Sequence, residues 1–247
     1  MPDFIPYSVS LILIFLAAGF TQGISGFGSA LVAMPLLLLF IDVKTAVPLC
    51  MLNGLIITAF LSLQLRRHVD WKKITPLLIG CMPGIYVGSR FLKEADSNVI
   101  QLLLGLLIVC YSLYTLFSKP QPKKMGPLWA YAAGFGTGVI GSAFSAGGPP
   151  AIMYIARTDW KKDDIKATLS VFFFITGIFM AAAHAANGLT TVSVIKSFFV
   201  SSFAVLIGVW LGSVFYGRIK KETYLRIILS LLLVMGTVMI LTSLRRF

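Results

Sequence analysis

The residues of this chain with the clearest chemical potential sit in two glycine-rich stretches inside otherwise apolar sequence. The first is Thr21-Gln22-Gly23-Ile24-Ser25-Gly26-Phe27-Gly28-Ser29. The second runs from Gly134 to Pro150 and contains Gly136, Gly138, Gly141, Gly147, Gly148, Pro149 and Pro150. Glycine at this density permits tight turns and close approach of backbone to a ligand. A helix restarting after such a break presents unpaired N–H groups and the positive end of its dipole. That combination can hold an anion without a fixed positive charge. The Ser25, Ser29, Ser142 and Ser145 hydroxyls and the Gln22 amide are candidates to complete its shell, with Gly23, Gly26, Gly28, Gly141, Gly147 and Gly148 bringing the backbone near. The alternative for each serine is a hydrogen bond to its own helix. Asn53 and His184 lie inside apolar runs, where a polar group is costly and therefore a functional candidate; an interhelical bond is the competing reading. His184 titrates near neutral pH, so it is the first suspect if protons are coupled to function.

These groups must be positioned inside a bilayer. Of 247 residues, 57% are hydrophobic and 12% charged, where soluble domains carry about 25% charged residues; mean hydropathy is +0.90. So few charges cannot cover a water-soluble surface of this size, which indicates an integral membrane protein. The formal charge of +12 comes from short Lys/Arg clusters between apolar runs. Loops facing anionic lipid carry such clusters, so the partner is the bilayer and not nucleic acid. Cys50, Cys81 and Cys110 have no metal or disulfide spacing, and no G-x-x-x-x-G-K-[ST] loop is present. Neither a metal, a cofactor nor ATP is expected. Met1-Pro2-Asp3-Phe4 lacks the basic start of a signal peptide, so the N-terminal run is expected to be mature structure.

Apolar stretches run about 4–41, 45–65, 74–92, 98–118, 127–156, 167–195, 197–216 and 224–244. Most have the roughly 20 residues of a spanning helix, whereas 4–41 and 127–156 are longer and contain the two breaks. Ala18-Gly19-Phe20 aligns with Ala133-Gly134-Phe135, and at the same offset Gly23, Gly26 and Pro35 meet Gly138, Gly141 and Pro150. Gly84-x-x-x-Gly88-Ser89 likewise matches Gly208-x-x-x-Gly212-Ser213, spacings that suit helix packing. The expected fold is an all-α integral membrane protein of two repeats, 1–118 and 127–247, joined by a linker at 119–126. Each repeat is a broken or re-entrant helix pair followed by three transmembrane helices. Segment 127–156 is expected to divide into two pieces of about 15 residues.

Positive charge orients the halves. Loops 66–73 and 119–124 hold 7 Lys/Arg against 3 in 42–45 and 90–96. In the second half the bias reverses: 157–166 and 217–226 hold 8, while the surroundings of Lys196 and Arg245-Arg246 hold 3. Halves facing the same way would leave the two faces with 10 and 11, whereas inverted halves give 15 and 6. The positive-inside rule selects two inverted repeats with both termini outside the cytoplasm.

The stretch Ala18-Gly19-Phe20-x-x-Gly23-x-x-Gly26-Phe27-Gly28-Ser29, echoed by Gly134-Phe135-x-x-Gly138-x-x-Gly141 through Ala146-Gly147-Gly148-Pro149-Pro150, resembles the TauE/SafE sulfite-exporter family over nearly the whole chain. The resemblance implies a multi-pass protein of a bacterial inner membrane that exports sulfite, sulfoacetate or related organosulfonates. It extends to the glycines and serines of the breaks and assigns no role to Asn53 or His184. Taken with the sequence, it implies a secondary transporter working by alternating access, either passive or coupled to a proton or sodium gradient, with a homodimer as one assembly open to it. An anion channel is the first alternative. The second is an intramembrane serine protease, because Gly23-Ile24-Ser25-Gly26 matches a G-x-S-G motif and His184 could serve as base. The recurrence of Gly23 and Gly26 as Gly138 and Gly141 favours a scaffold, so no enzyme is expected.

Overall fold

The computed structural model describes residues 4–65, 69–117, 126–155, 162–216 and 221–245, and within them every regular element is an α-helix. The first half contains α1 (Phe4–Ser25), α2 (Ser29–Leu37), α3 (Val43–Leu65), α4 (Trp71–Glu94) and α5 (Ser97–Phe117). The second contains α6 (Pro127–Phe144), α7 (Gly148–Ile155), α8 (Lys162–Ala186), α9 (Val192–Val214) and α10 (Lys221–Leu244). Stretches of α1, α3, α5, α8 and α9 are long and apolar enough to cross a bilayer. The linker, the Arg66-Arg67 loop and the Arg157–Lys161 cluster fall mostly or wholly outside the described residues.

Local chemistry explains several boundaries. Asp70 caps α4 by accepting from Lys72 N at 3.1 Å, and Thr191 caps α9 by accepting from Val194 N at 3.3 Å. That second cap moves a boundary: α8 ends at Ala186, not 195, and Lys196 lies within α9 rather than in a loop. Asn187 and Gly188, the latter at φ 74°, make the turn.

The two breaks are shorter than the sequence suggests. α1 continues through Gly19 and Gly23 to Ser25, and α6 through Gly134, Gly138 and Gly141 to Phe144. Only Gly26–Gly28 and Ser145–Gly147 are non-helical. The pieces are therefore 22 and 9 residues in the first half and 18 and 8 in the second, not two of about 15. The glycines before each break are packing residues, and tertiary contact outweighs their weak helix preference.

That packing crosses between the halves. α1 lies against α9 and α4 against α6, while α3 meets α8 and α5 meets α10. A Cβ on Gly19 would stand 2.6 Å from Val205 O and 2.9 Å from Val209 N; Gly138 faces Cys81 O and Ile85 N in the same way. Gly208 and Gly84 in turn sit on the carbonyls of Leu16 and Phe135. By these contacts Gly19 corresponds to Gly138, an offset of 119, one helical turn beyond the 115 suggested by aligning Gly23 with Gly138. Both seams use small residues to bring backbones together, which suits association where apolar burial gives little driving force. Gly19 meets Val205–Val209 and Gly23 meets Val209–Gly212, so α1 and α9 run parallel. Ser243 Oγ donates to Asn98 O at 2.7 Å while Gly105 lies on Gly236, so α5 and α10 run antiparallel.

Candidate functional site

Both breaks open onto one cavity. Gln22 and Phe27 through Leu31 come from the first, and Thr137, Gly141 and Ser145 through Gly148 from the second. The remaining wall is the central part of α3 (Cys50, Met51, Gly54, Leu55, Thr58) and of α8 (Phe173, Thr176, Gly177, Met180). Its volume is about 80 Å³. One water needs roughly 10–15 Å³, so the space accommodates several waters or a small anion.

The turns that build the site need unusual backbone. Gly26 and Gly28 adopt φ of 86° and 94°, and Ser145, at the place corresponding to Gly26, adopts φ 56°. A non-glycine residue there is strained by about 1–3 kcal/mol, held by the surrounding packing. Ser25 braces the first turn: its Oγ lies against Thr21 O at 2.7 Å and against Phe27 O, and Phe27 N donates to it at 3.3 Å.

Among the described residues the wall contains no charged side chain. Its polarity comes from helix starts, hydroxyls and one amide. Ser29 N donates to Gln22 Oε1 at 3.4 Å, and Val32 N returns to Gly28 O at 3.2 Å. Between them the Ala30 and Leu31 N–H groups of the first turn have no intrahelical acceptor. The second start is poorer in donors, because Pro149 and Pro150 have no N–H and leave Gly148 and Ala151. The Thr58 and Thr176 hydroxyls are committed to Gly54 O and Phe172 O, each at 2.8 Å. Cys50, Met51, Leu55, Phe173 and Met180 supply much of the apolar lining.

Of the residues singled out from sequence, Gln22, Gly28, Ser29, Gly141, Ser145, Gly147 and Gly148 share this wall. The others lie behind it. Gly23 packs on the α9 backbone, its built Cβ 2.6 Å from Val209 O, and Gly26 packs on the Lys166 side chain. Ser142 Oγ donates to Gly138 O at 2.6 Å and to Ile85 O at 3.1 Å. Asn53 is fully buried; its amide donates to Leu49 O and pairs with Ser201 Oγ, both at 3.0 Å. His184 is also fully buried, with Nε2 donating to Ser142 O at 2.7 Å. Ser25 and His184 are thus bonded to other groups on different helices, and the dyad required by the protease alternative is not formed.

Sequence reasoning missed the contribution of α3 and α8 to the wall, whose Gly54, Thr58, Thr176 and Gly177 look like ordinary span residues. It also missed Lys166. Counted with a cytoplasmic loop, Lys166 instead lies in α8, 8% exposed, with Nζ donating to Gly23 O at 2.8 Å and standing 3.8 Å from the centre of the Tyr216 ring.

Described residues that are helical throughout their regular structure, with five helices able to cross a bilayer and a cavity built on broken helices, make this a multi-pass membrane protein. The chain belongs to the TauE/SafE family, whose model, described as sulfite exporter TauE/SafE, matches residues 11–239. It is similar to a curated protein of Cupriavidus necator, the "Probable sulfite/organosulfonate exporter TauE", with 25% identity over 234 residues, 92% of this chain and 91% of the relative. No solved structure matches it.

Proposed function

We propose that this chain exports small sulfur oxyanions, sulfite or organosulfonates such as sulfoacetate, as a secondary transporter working by alternating access. The observation that carries this reading is the meeting of both broken helices on one cavity, uncharged among the described residues, between the central parts of α3 and α8. An anion held by helix-start N–H groups, the Gln22 amide and the Ser29 and Ser145 hydroxyls is stabilised without a fixed countercharge, which also permits its release. The family description and the relative's name agree with such a substrate.

The two halves are inverted in this reading. Antiparallel α5 and α10, and parallel α1 and α9, fit a two-fold axis lying in the membrane plane. A cavity on that axis sits near the midplane. The face richer in Lys/Arg, with Lys166 set aside as a buried residue of α8, is cytoplasmic, and both termini lie outside it, in a bacterial inner membrane. A C-terminal tag reachable only from the cytoplasm would overturn this orientation.

Flux from liposomes loaded with sulfite, sulfoacetate, sulfate or chloride, with and without a pH or sodium gradient, tests the function. Efflux of sulfite or sulfoacetate faster than of sulfate or chloride, and driven by a gradient, is expected. Rapid non-saturating chloride flux would mark a channel, and no flux of either sulfur anion refutes the proposal.

A further inference from the structure

One face of α8 holds both broken helices. Lys166, Phe173, Gly177, Met180 and His184 fall within an arc of roughly 60° at 3.6 residues per turn. Phe173, Gly177 and Met180 form part of the cavity wall. Lys166 lies about 10 Å along the axis before Phe173, and His184 about 6 Å beyond Met180, so the two polar residues bracket the cavity from opposite ends of one helix.

Their partners are equivalent. Lys166 Nζ donates to Gly23 O at 2.8 Å, and His184 Nε2 donates to Ser142 O at 2.7 Å. Gly23 and Ser142 correspond at the offset of 119 that relates the two seams, and each is the third residue from the end of its helix, α1 or α6. A carbonyl there has lost its intrahelical acceptor role, because the residue four positions on lies beyond the helix. At Gly23 that later residue is Phe27, whose N–H goes to Ser25 Oγ. Each donor from α8 therefore satisfies a helix-end carbonyl just before a break. α3, in the corresponding place of the first half, carries Lys44 at its start, where Nζ donates to Lys93 O near the end of α4 at 3.0 Å, and has no charged residue or histidine from there to Leu65. Donors reaching the carbonyls before the two breaks thus come from α8 and not from α3.

We propose that Lys166 and His184 are paired end-latches by which α8 holds one broken helix on each side of the cavity, and that releasing one latch at a time opens the cavity to one side of the membrane. They are positioning residues, acting through the backbone of α1 and α6. The inference rests on the transporter reading for its purpose, but its test needs no transport.

Cys50 in the cavity wall is the reporter. In a Cys81→Ala, Cys110→Ala background, a membrane-impermeant thiol reagent is applied to either face of oriented vesicles. Lys166→Met should raise Cys50 labelling about tenfold or more from the side where α8 begins, and His184→Leu from the opposite side. Lys166→Arg and His184→Gln keep a donor and should return labelling toward that of the background protein. If Lys166→Met does not reach the membrane, Tyr216→Leu removes the ring beneath Nζ and should shift labelling the same way, by less. Unchanged labelling in the Met and Leu variants, a rise on the same side for both, or no rescue by Arg and Gln overturns the latches. Failure of sulfite flux with side-specific labelling intact sinks the substrate reading and leaves the latches standing.

Discussion

Gly54 separates the cavity from the scaffold. It lies near the centre of α3 on the cavity wall, and a Cβ built there meets nothing within 4 Å. Gly54→Ala therefore introduces no clash, while alanine is favoured over glycine inside a helix by roughly 0.5–1 kcal/mol. For a chain of this size that corresponds to a rise in melting temperature of about 1–4 °C. The same methyl projects into a space of only about 80 Å³. Since non-bonded carbons keep about 3.5–4 Å apart, a large share of that space is lost to an occupant. One carbon group too many in a fitted pocket costs about 1–3 kcal/mol, a 10- to 200-fold effect. Thermal unfolding in detergent and liposome flux on the same preparation should thus diverge: a more stable protein with a raised KM, more so for sulfoacetate than for sulfite. A lowered melting temperature, or an unchanged KM for both anions, refutes the assignment of this wall to substrate.

Three further outcomes follow from the packing. Gly19→Ala places a Cβ 2.6 Å from Val205 O where ordinary contact starts at 3.4 Å, so the α1–α9 seam must open by about 0.8 Å and stability should fall by about 1–3 kcal/mol; Gly126→Ala, with nothing within 4 Å, costs only the weaker N-cap of α6 and should lower the same melt by less. Ser145→Gly relieves a residue at φ 56° and should stabilise the fold by about 1 kcal/mol, measured by denaturation, while removing a wall hydroxyl and raising the KM. Asp70 is held below its ordinary carboxylate value chiefly by the hydrogen bond from Lys73. A depressed value contributes stability above the unfolded carboxylate range and loses it as pH falls through the folded value. Asp70→Asn keeps an N-cap without the ion pair, so melting temperature should fall less for it than for the parent below about pH 4; the pair is more than a third exposed at the aspartate, so the difference is small.

The membrane class and the two breaks were legible because composition and glycine clustering are local properties. The register between the halves was not. Matching Gly23 to Gly138 aligns letters, whereas the backbone contact equates Gly138 with Gly19, since what the seam requires is a small residue opposite Val205 and Val209 or Cys81 and Ile85. For Ser142 and Ser25 the sequence left both a ligand role and a bond to their own helix open, and each hydroxyl lies on the carbonyl four residues earlier. Lys166 was hidden by its neighbours: it follows a basic cluster closely enough to be counted with it, and only the arrival of α1 from more than a hundred residues away makes it a buried donor. Asn53 likewise needed Ser201, on α9, before its bond could be recognised.

The cross-half seams bear on how the chain can be made. Gly23 waits for Gly212, roughly 190 residues later, and at about 5–20 residues per second of synthesis that delay is on the order of 10–40 s. During it α1 stands in the bilayer with its glycine face open to lipid, whereas α4 finds α6 much sooner. The second seam therefore assembles first, and neither half, released alone, carries the partner of its own first helix. Biogenesis of this protein is thus a late-closing process, in which the last third of the chain completes what the first helix began.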